Sequence, residues 1–156
     1  MEVKFVNKSA FTLLGKQGSG SSSDGKAWIP PLWEQANSSF MDIFPLTLRD
    51  RLGKPQIWGA MSDVDLTFAP WDERGGLYLA GAEVSPEAEA PDGWTKWNIP
   101  AFRYAVTEYT NETYDSVFGA VLNEYLPKEG LSLVGAVHEY YATSGALELW
   151  FPVEKL

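Results

Sequence analysis

The chain has no cysteine and a single histidine, His138. That excludes disulfides, thiol nucleophiles, cysteine-ligated zinc and cysteine-attached haem. A Ser-His-Asp triad would have to run through His138, and no G-x-S-x-G elbow is present to carry its serine. No loop has the acidic spacing of an EF-hand, so neither a metal nor a cofactor is expected. Basic residues are scarce: 12 Lys and Arg stand against 21 Asp and Glu, a formal net charge of −9. Nucleic-acid affinity comes largely from Lys and Arg neutralising phosphates, so direct DNA or RNA binding is not expected. An acidic field favours cationic ligands, although acidity also serves solubility alone. Long apolar runs are missing too, and nothing approaches the roughly 20 residues that span a bilayer. The opening "MEVKFVNKSAF" carries an acid at once and has no uncharged core of a signal peptide. A cytoplasmic protein with no membrane association is the expectation.

What the chain has in excess is aromatic. Seven Trp, seven Tyr and eight Phe make up 14% of 156 residues. Trp and Tyr carry polar tips and are rarely fully buried, so the excess suits a concave, aromatic-lined ligand site better than an ordinary core.

The order of elements recurs along the chain. "VKFVNKSAFTLLGK" is a β-rich opening, followed by the Gly/Ser-rich "QGSGSSSDGK", either a slack connection or a mobile lid. A helix is expected from Pro30–Pro31, with Leu32, Trp33, Ala36 and Phe40 at helical spacing. "QIWGAM" and "GGLYLAGAEV" read as strands around a polar loop. The acidic, Pro-containing "SPEAEAPDG" reads as a connector. "IPAFRYAVTEY" is then a strand. "TNETYDSVFGAVLNEYLPKEG" is a helix capped by Thr110 or Asn111, ended by Pro127 and Gly130, with Tyr114, Val117, Phe118, Val121 and Tyr125 on its apolar face. Two strands follow. The reading is an α+β protein of two pseudo-symmetric βαββ repeats, about residues 1–84 and 97–156 around a connector at 85–96. The repeats would form antiparallel sheets with two main helices and a central ligand cleft. "WGAM" echoes "VGAV", which places Asp63 and Glu139 at matching points.

In "GAVHEYYATSGALELWFPV" a carboxylate sits mid-strand. Strands disfavour Glu, and on a half-buried face it must be hydrated, paired or neutralised. Tyr141 shares its face, and His138 takes the opposite one.

The pieces "IPA-x-x-YAV", "LP-x-x-G", "HEYY" and the terminal "L-x-FPV", in this order, resemble a GyrI-like small-molecule-binding domain. That domain is the effector-binding module of AraC-type and MerR-type multidrug-responsive regulators, and it also occurs free-standing, including on integron cassettes. The resemblance implies a pair of βαββ modules and an aromatic cleft for lipophilic cations with a glutamate at its floor, here Glu139. No DNA-binding helices precede the matching segment, so a stand-alone binding or sequestration module is expected, with a regulator in trans as a partner and the oligomeric state open. Candidate walls are Tyr141, Trp33, Trp58, Tyr78, Trp97, Tyr104 and Trp150, with Phe40 and Phe102 as either lining or core. Asp63, Glu83 and Glu148 rank below Glu139: loop placement accounts for Asp63 and hydration for Glu148, while Glu83 is a candidate for the cleft rim. The resemblance also admits an enzyme that hydrolyses cyclopropane-bearing genotoxins, with Glu139 handling water and Tyr104 or Tyr141 donating a hydrogen bond. A gyrase-inhibiting interaction role is a third reading, placed last.

Overall fold

Alternation along the strands divides neighbouring side chains between two faces of a sheet. Leu13, Leu79, Tyr104 and Trp150 fall in one apolar cluster, while Leu14, Ala80, Ala105 and Phe151, each one residue further on, fall in two others. The structure, a computed structural model, describes residues 1–156. Its elements are β1 (Lys4–Lys8), β2 (Phe11–Gly20), α1 (Gly25–Ser38), β3 (Ile57–Ser62), β4 (Gly76–Val84), β5 (Thr95–Ile99), β6 (Phe102–Tyr109), α2 (Tyr114–Ala120), β7 (His138–Tyr141) and β8 (Leu147–Lys155). A π-helical turn (Val121–Tyr125) and a last α turn (Leu126–Lys128) prolong α2.

All strands join one antiparallel sheet in the order β1-β6-β8-β7-β3-β4-β2-β5. The fold is α+β with two main helices, as read from the sequence, but the two halves share a single sheet fused at the β3–β7 pair. The β-rich opening breaks in two. β1 leaves its own half and pairs with β6, from Lys4 opposite Val106 to Lys8 opposite Phe102. β5 does the reverse and pairs with β2, from Phe11 opposite Ile99 to Gly15 opposite Thr95. Each half is therefore ββαββ, with its first strand lent to the other, and residues 95–96 of the expected connector belong to β5.

Both helices cover one face. Leu32 and Ala36 of α1 pack on Leu14, Tyr78 and Ala80, and Val121 and Leu126 after α2 pack on Leu149 and Phe151. The helix-free face carries a third cluster that crosses both halves, built on Phe11, Trp58, Trp97, Phe102, Tyr104 and Trp150. α1 begins at Gly25, five residues before the prolines expected to open it. Pro30 and Pro31 lack the N–H that would complete bonds to Lys26 and Ala27, yet the helix continues through them. Its extra first turn is held by Trp28, which donates to the Ser21 carbonyl at 3.0 Å and stacks on Trp71 at 5.4 Å. α2 starts at Tyr114 because Thr110–Thr113 form a turn of their own, the Thr110 N–H donating to Thr113 Oγ1 at 2.8 Å. Its far end follows the sequence signals, with Pro127 in the last turn and Gly130 at φ +70°. No helix is long and apolar enough to cross a membrane.

Candidate functional site

Glu139 lies on β7, directly opposite Gly59 on β3 at the seam between the halves. The glycine is a steric requirement. A Cβ there would sit 2.7 Å from Glu139 Oε1 and would collide with the Tyr78 hydroxyl. Through this gap Tyr78 reaches across β3 from β4 and donates to Oε1 at 2.5 Å. Tyr141, two residues along β7, donates to the same oxygen at 3.2 Å. Tyr114, the first residue of α2, donates to Oε2 at 2.6 Å. Trp33 of α1 donates its indole N–H to the Tyr78 hydroxyl at 3.0 Å and meets the Tyr141 ring edge-on at 5.1 Å. One carboxylate thus gathers a strand and a helix from each half.

Glu139 is 8% exposed. Burial pushes its carboxyl above the usual range, and the hydrogen bonds from Tyr114, Tyr78 and Tyr141 pull it only part of the way back. Burial, together with the nearby Glu139 charge, raises all three phenols, so they stay protonated donors. No lysine or arginine balances this acid. The ion pairs are Lys4–Glu148, Lys8–Glu83, and Arg74 with Asp65 and Asp72. Phenols delocalise a negative charge without cancelling it, so Glu139 is satisfied in hydrogen bonds and unpaired in charge.

Glu139 also forms part of the wall of a cleft of about 840 Å³ between the helices. Ile29 and Pro30 come from α1 and Tyr114 and Phe118 from α2; Leu122 lies in the π-helical turn. Met61 on β3, Trp71 in the β3–β4 loop and Val137 just before β7 add to the apolar lining. Ser22, Lys26, Asn111, Asp115 and Asn123 add polar groups to the wall.

Of the ten candidate site residues, Glu139 alone is on that wall. Trp33, Tyr78 and Tyr141 form the layer that holds it. Phe40 lies just beyond the end of α1, 6.1 Å from Phe44, packed beside the helix-side cluster. Trp58, Trp97, Phe102, Tyr104 and Trp150 belong to the helix-free face and do not meet Glu139. Strand parity separates them, since Trp58 faces Tyr140 and Trp150 faces His138. The pairing of Tyr104 with Glu139 in a hydrolytic step is corrected on the same ground. The Tyr104 hydroxyl is buried without a partner, and its ring lies 6.2 Å from that of His138. Burial drops His138 to about 3; it is neutral and accepts the Met61 N–H at 3.1 Å.

The other acids are also placed. Asp63 is enclosed in the β3–β4 loop, where it accepts from Thr67 N at 2.8 Å, Thr67 Oγ1 at 2.7 Å and Ser62 Oγ at 3.0 Å. Burial alone would raise it, but these bonds hold it down at about 2. Glu83 binds Lys8 and accepts the Trp58 indole N–H at 2.9 Å on the helix-free face, away from the cleft. Glu148 is 9% exposed and held by Lys4 and Trp150, so hydration does not explain it. The Gly/Ser-rich segment is neither slack nor a lid over its first part, because Gln17–Gly20 pair with β4.

Sequence reasoning missed Tyr114, Phe118, Leu122, Met61, Trp71 and Ile29. Tyr114 and Phe118 were assigned to the core face of α2. The available signal was a phenol on that apolar stripe, whose hydroxyl needs a partner once buried.

The profile of the GyrI-like small molecule binding domain matches residues 1–154. No curated protein sequence is significantly similar to the chain. Among solved structures, SAV2435 bound to tetraphenylphosphonium is 16% identical at a TM-score of 0.69, with 99% of this chain and 94% of that one covered. The C-terminal domain of EcmrR is 14% identical at a TM-score of 0.65, over 99% and 98% of the two chains. An integron cassette protein of Vibrio cholerae is 13% identical at a TM-score of 0.61, over 97% and 95%.

Proposed function

Because the chain belongs to the GyrI-like small-molecule-binding family, we propose that its cleft captures lipophilic cations, with Glu139 as the group that reads charge. The observation that carries this is a nearly enclosed carboxylate with three phenol donors and no cationic partner in the protein. An unbalanced charge in a low-dielectric wall attracts a cation far more strongly than it would in water, and a bound cation repairs part of its desolvation cost. Tyr114, Phe118 and Trp71 offer aromatic surface beside it, and a cation over such a face gains about 0.5–2 kcal/mol. Support comes from SAV2435, a similar fold, which holds tetraphenylphosphonium. In this reading the protein works in the cytoplasm as a binding module, sequestering the cation or presenting it to a regulator.

The test is a tryptophan-fluorescence titration with tetraphenylphosphonium and a neutral aromatic isostere. Glu139→Gln is expected to weaken cation binding by tenfold or more, and binding of the neutral compound by less than about threefold. Equal losses for both compounds, or none, would remove Glu139 from the recognition of charge.

A further inference from the structure

The acceptor capacity of Glu139 limits what its charge can hold, an inference that rests on the cation-binding reading above. An ionised carboxylate has about four lone-pair positions, two on each oxygen. Oε1 accepts from Tyr78 at 2.5 Å and from Tyr141 at 3.2 Å, which fills it. Oε2 accepts only from Tyr114, at 2.6 Å. One position on Oε2 is left. Tyr78 and Tyr141 lie behind the cleft wall, whereas Glu139 and Tyr114 are part of it, so the vacant position opens on the cleft.

The occupied positions are fixed rather than adaptable. Tyr78 is fully enclosed, with the Trp33 indole N–H on its oxygen at 3.0 Å. Tyr114 is clasped between rings, edge-on to Tyr109 at 5.0 Å and stacked with Phe118 at 6.1 Å. The donors on the cleft wall other than Tyr114, among them Ser22, Lys26, Asn111 and Asn123, make no hydrogen bond to Glu139, so the protein does not fill the last position itself.

We propose that the cleft selects protonated tertiary amines with aromatic bodies over quaternary ammonium ions of the same shape. A protonated tertiary amine brings one charge and one N–H, matching one unbalanced charge and one vacant acceptor. Its hydrogen bond to Oε2 is charge-assisted on both sides, the stronger class of such bonds. A quaternary ion brings the charge alone and, seated against the carboxylate, covers the Oε2 position without giving it a donor.

Two probes measured on the intact protein at neutral pH decide this: a diaryl-substituted tertiary amine in its protonated form and its N-methylated quaternary salt. Tryptophan fluorescence is expected to give a dissociation constant about tenfold lower for the tertiary amine. In Glu139→Gln that ratio is expected to collapse to within about threefold. In Tyr114→Phe, which frees a further position on Oε2 without removing the vacant one, the preference for the tertiary amine is expected to persist. A thermal melt checks that each variant is folded. Equal or tighter binding of the quaternary salt overturns the selectivity, and the cation reading survives if both probes still weaken in Glu139→Gln. A ratio that persists in Glu139→Gln reports shape rather than hydrogen bonding and also overturns it. Absence of binding by either probe removes both readings.

Discussion

Glu139 is held in the folded chain with its carboxyl raised, so folding and ligand binding depend on pH in opposite directions. The folded state keeps the proton to higher pH than the unfolded chain does. Stability from this group is therefore greatest below the ordinary carboxylate range and declines as pH rises towards the raised value. A cation favours the ionised form, so its binding expels the proton and its affinity climbs over the same interval. A titration with tetraphenylphosphonium, whose own charge does not change with pH, is expected to show affinity rising with pH from the ordinary carboxylate range upward and levelling once the raised carboxyl is fully ionised. In Glu139→Gln the profile flattens, and a wild-type profile equally flat would place the carboxylate outside the site. Tyr104 gives a second expectation at this scale. Its buried hydroxyl lacks a partner, and removing such a group while keeping the ring is neutral or stabilising by about 1 kcal/mol. Tyr104→Phe should melt at or slightly above the wild-type temperature with unchanged cation affinity; a large fall would reveal a bond that the hydroxyl makes.

Among the elements, β3 positions the site. It carries Gly59 under the Tyr78–Glu139 bond and ends in a loop in which Leu66 and Phe68 have φ of 56° and 61°. Asp63 holds that loop by accepting from Thr67 and Ser62. Gly59→Ala forces the Tyr78 phenol away from the carboxylate. It is expected to destabilise the fold by about 1–3 kcal/mol, the usual range for overpacking, and to weaken cation binding by tenfold or more. A thermal melt and the same titration check both, and an unaffected titration would mean that Tyr78 is not needed.

The legibility of the site in the sequence depended on the reach of each contact. Glu139 stood out through the family resemblance of "HEYY", and Tyr141 was readable beside it because the two are two residues apart on one strand, where parity is local. Trp33 stood out on a helical stripe. Trp58 and Trp150 went to the wrong face because their orientation depends on the β3–β7 and β7–β8 registers, and nothing within either segment states which residue will stand opposite Gly59 or Trp150. The helix order and most strands were legible from periodicity and turn residues. The exchange of β1 and β5 was not, because an edge strand of five residues carries no mark of its partner.

At the scale of the whole molecule, that exchange ties the halves together. β1 closes the second half at β6 and β5 closes the first at β2, while the helix-free cluster and the Glu139 cage both cross the seam. Neither half keeps a complete sheet without the other. Unfolding by urea is expected to be a single transition, with tryptophan fluorescence and far-ultraviolet circular dichroism giving coincident curves. Two separated transitions would show that the halves melt independently. The topology also sets how the protein bears load. β1 and β8 flank β6 and run in the same direction, with Lys4 level with Val106 and Trp150, and Lys8 level with Phe102 and Lys155. Tension applied across the two ends of the chain drags these strands lengthwise past β6. The rungs of both ladders then carry the force together, in shear, instead of opening one after another like a zip.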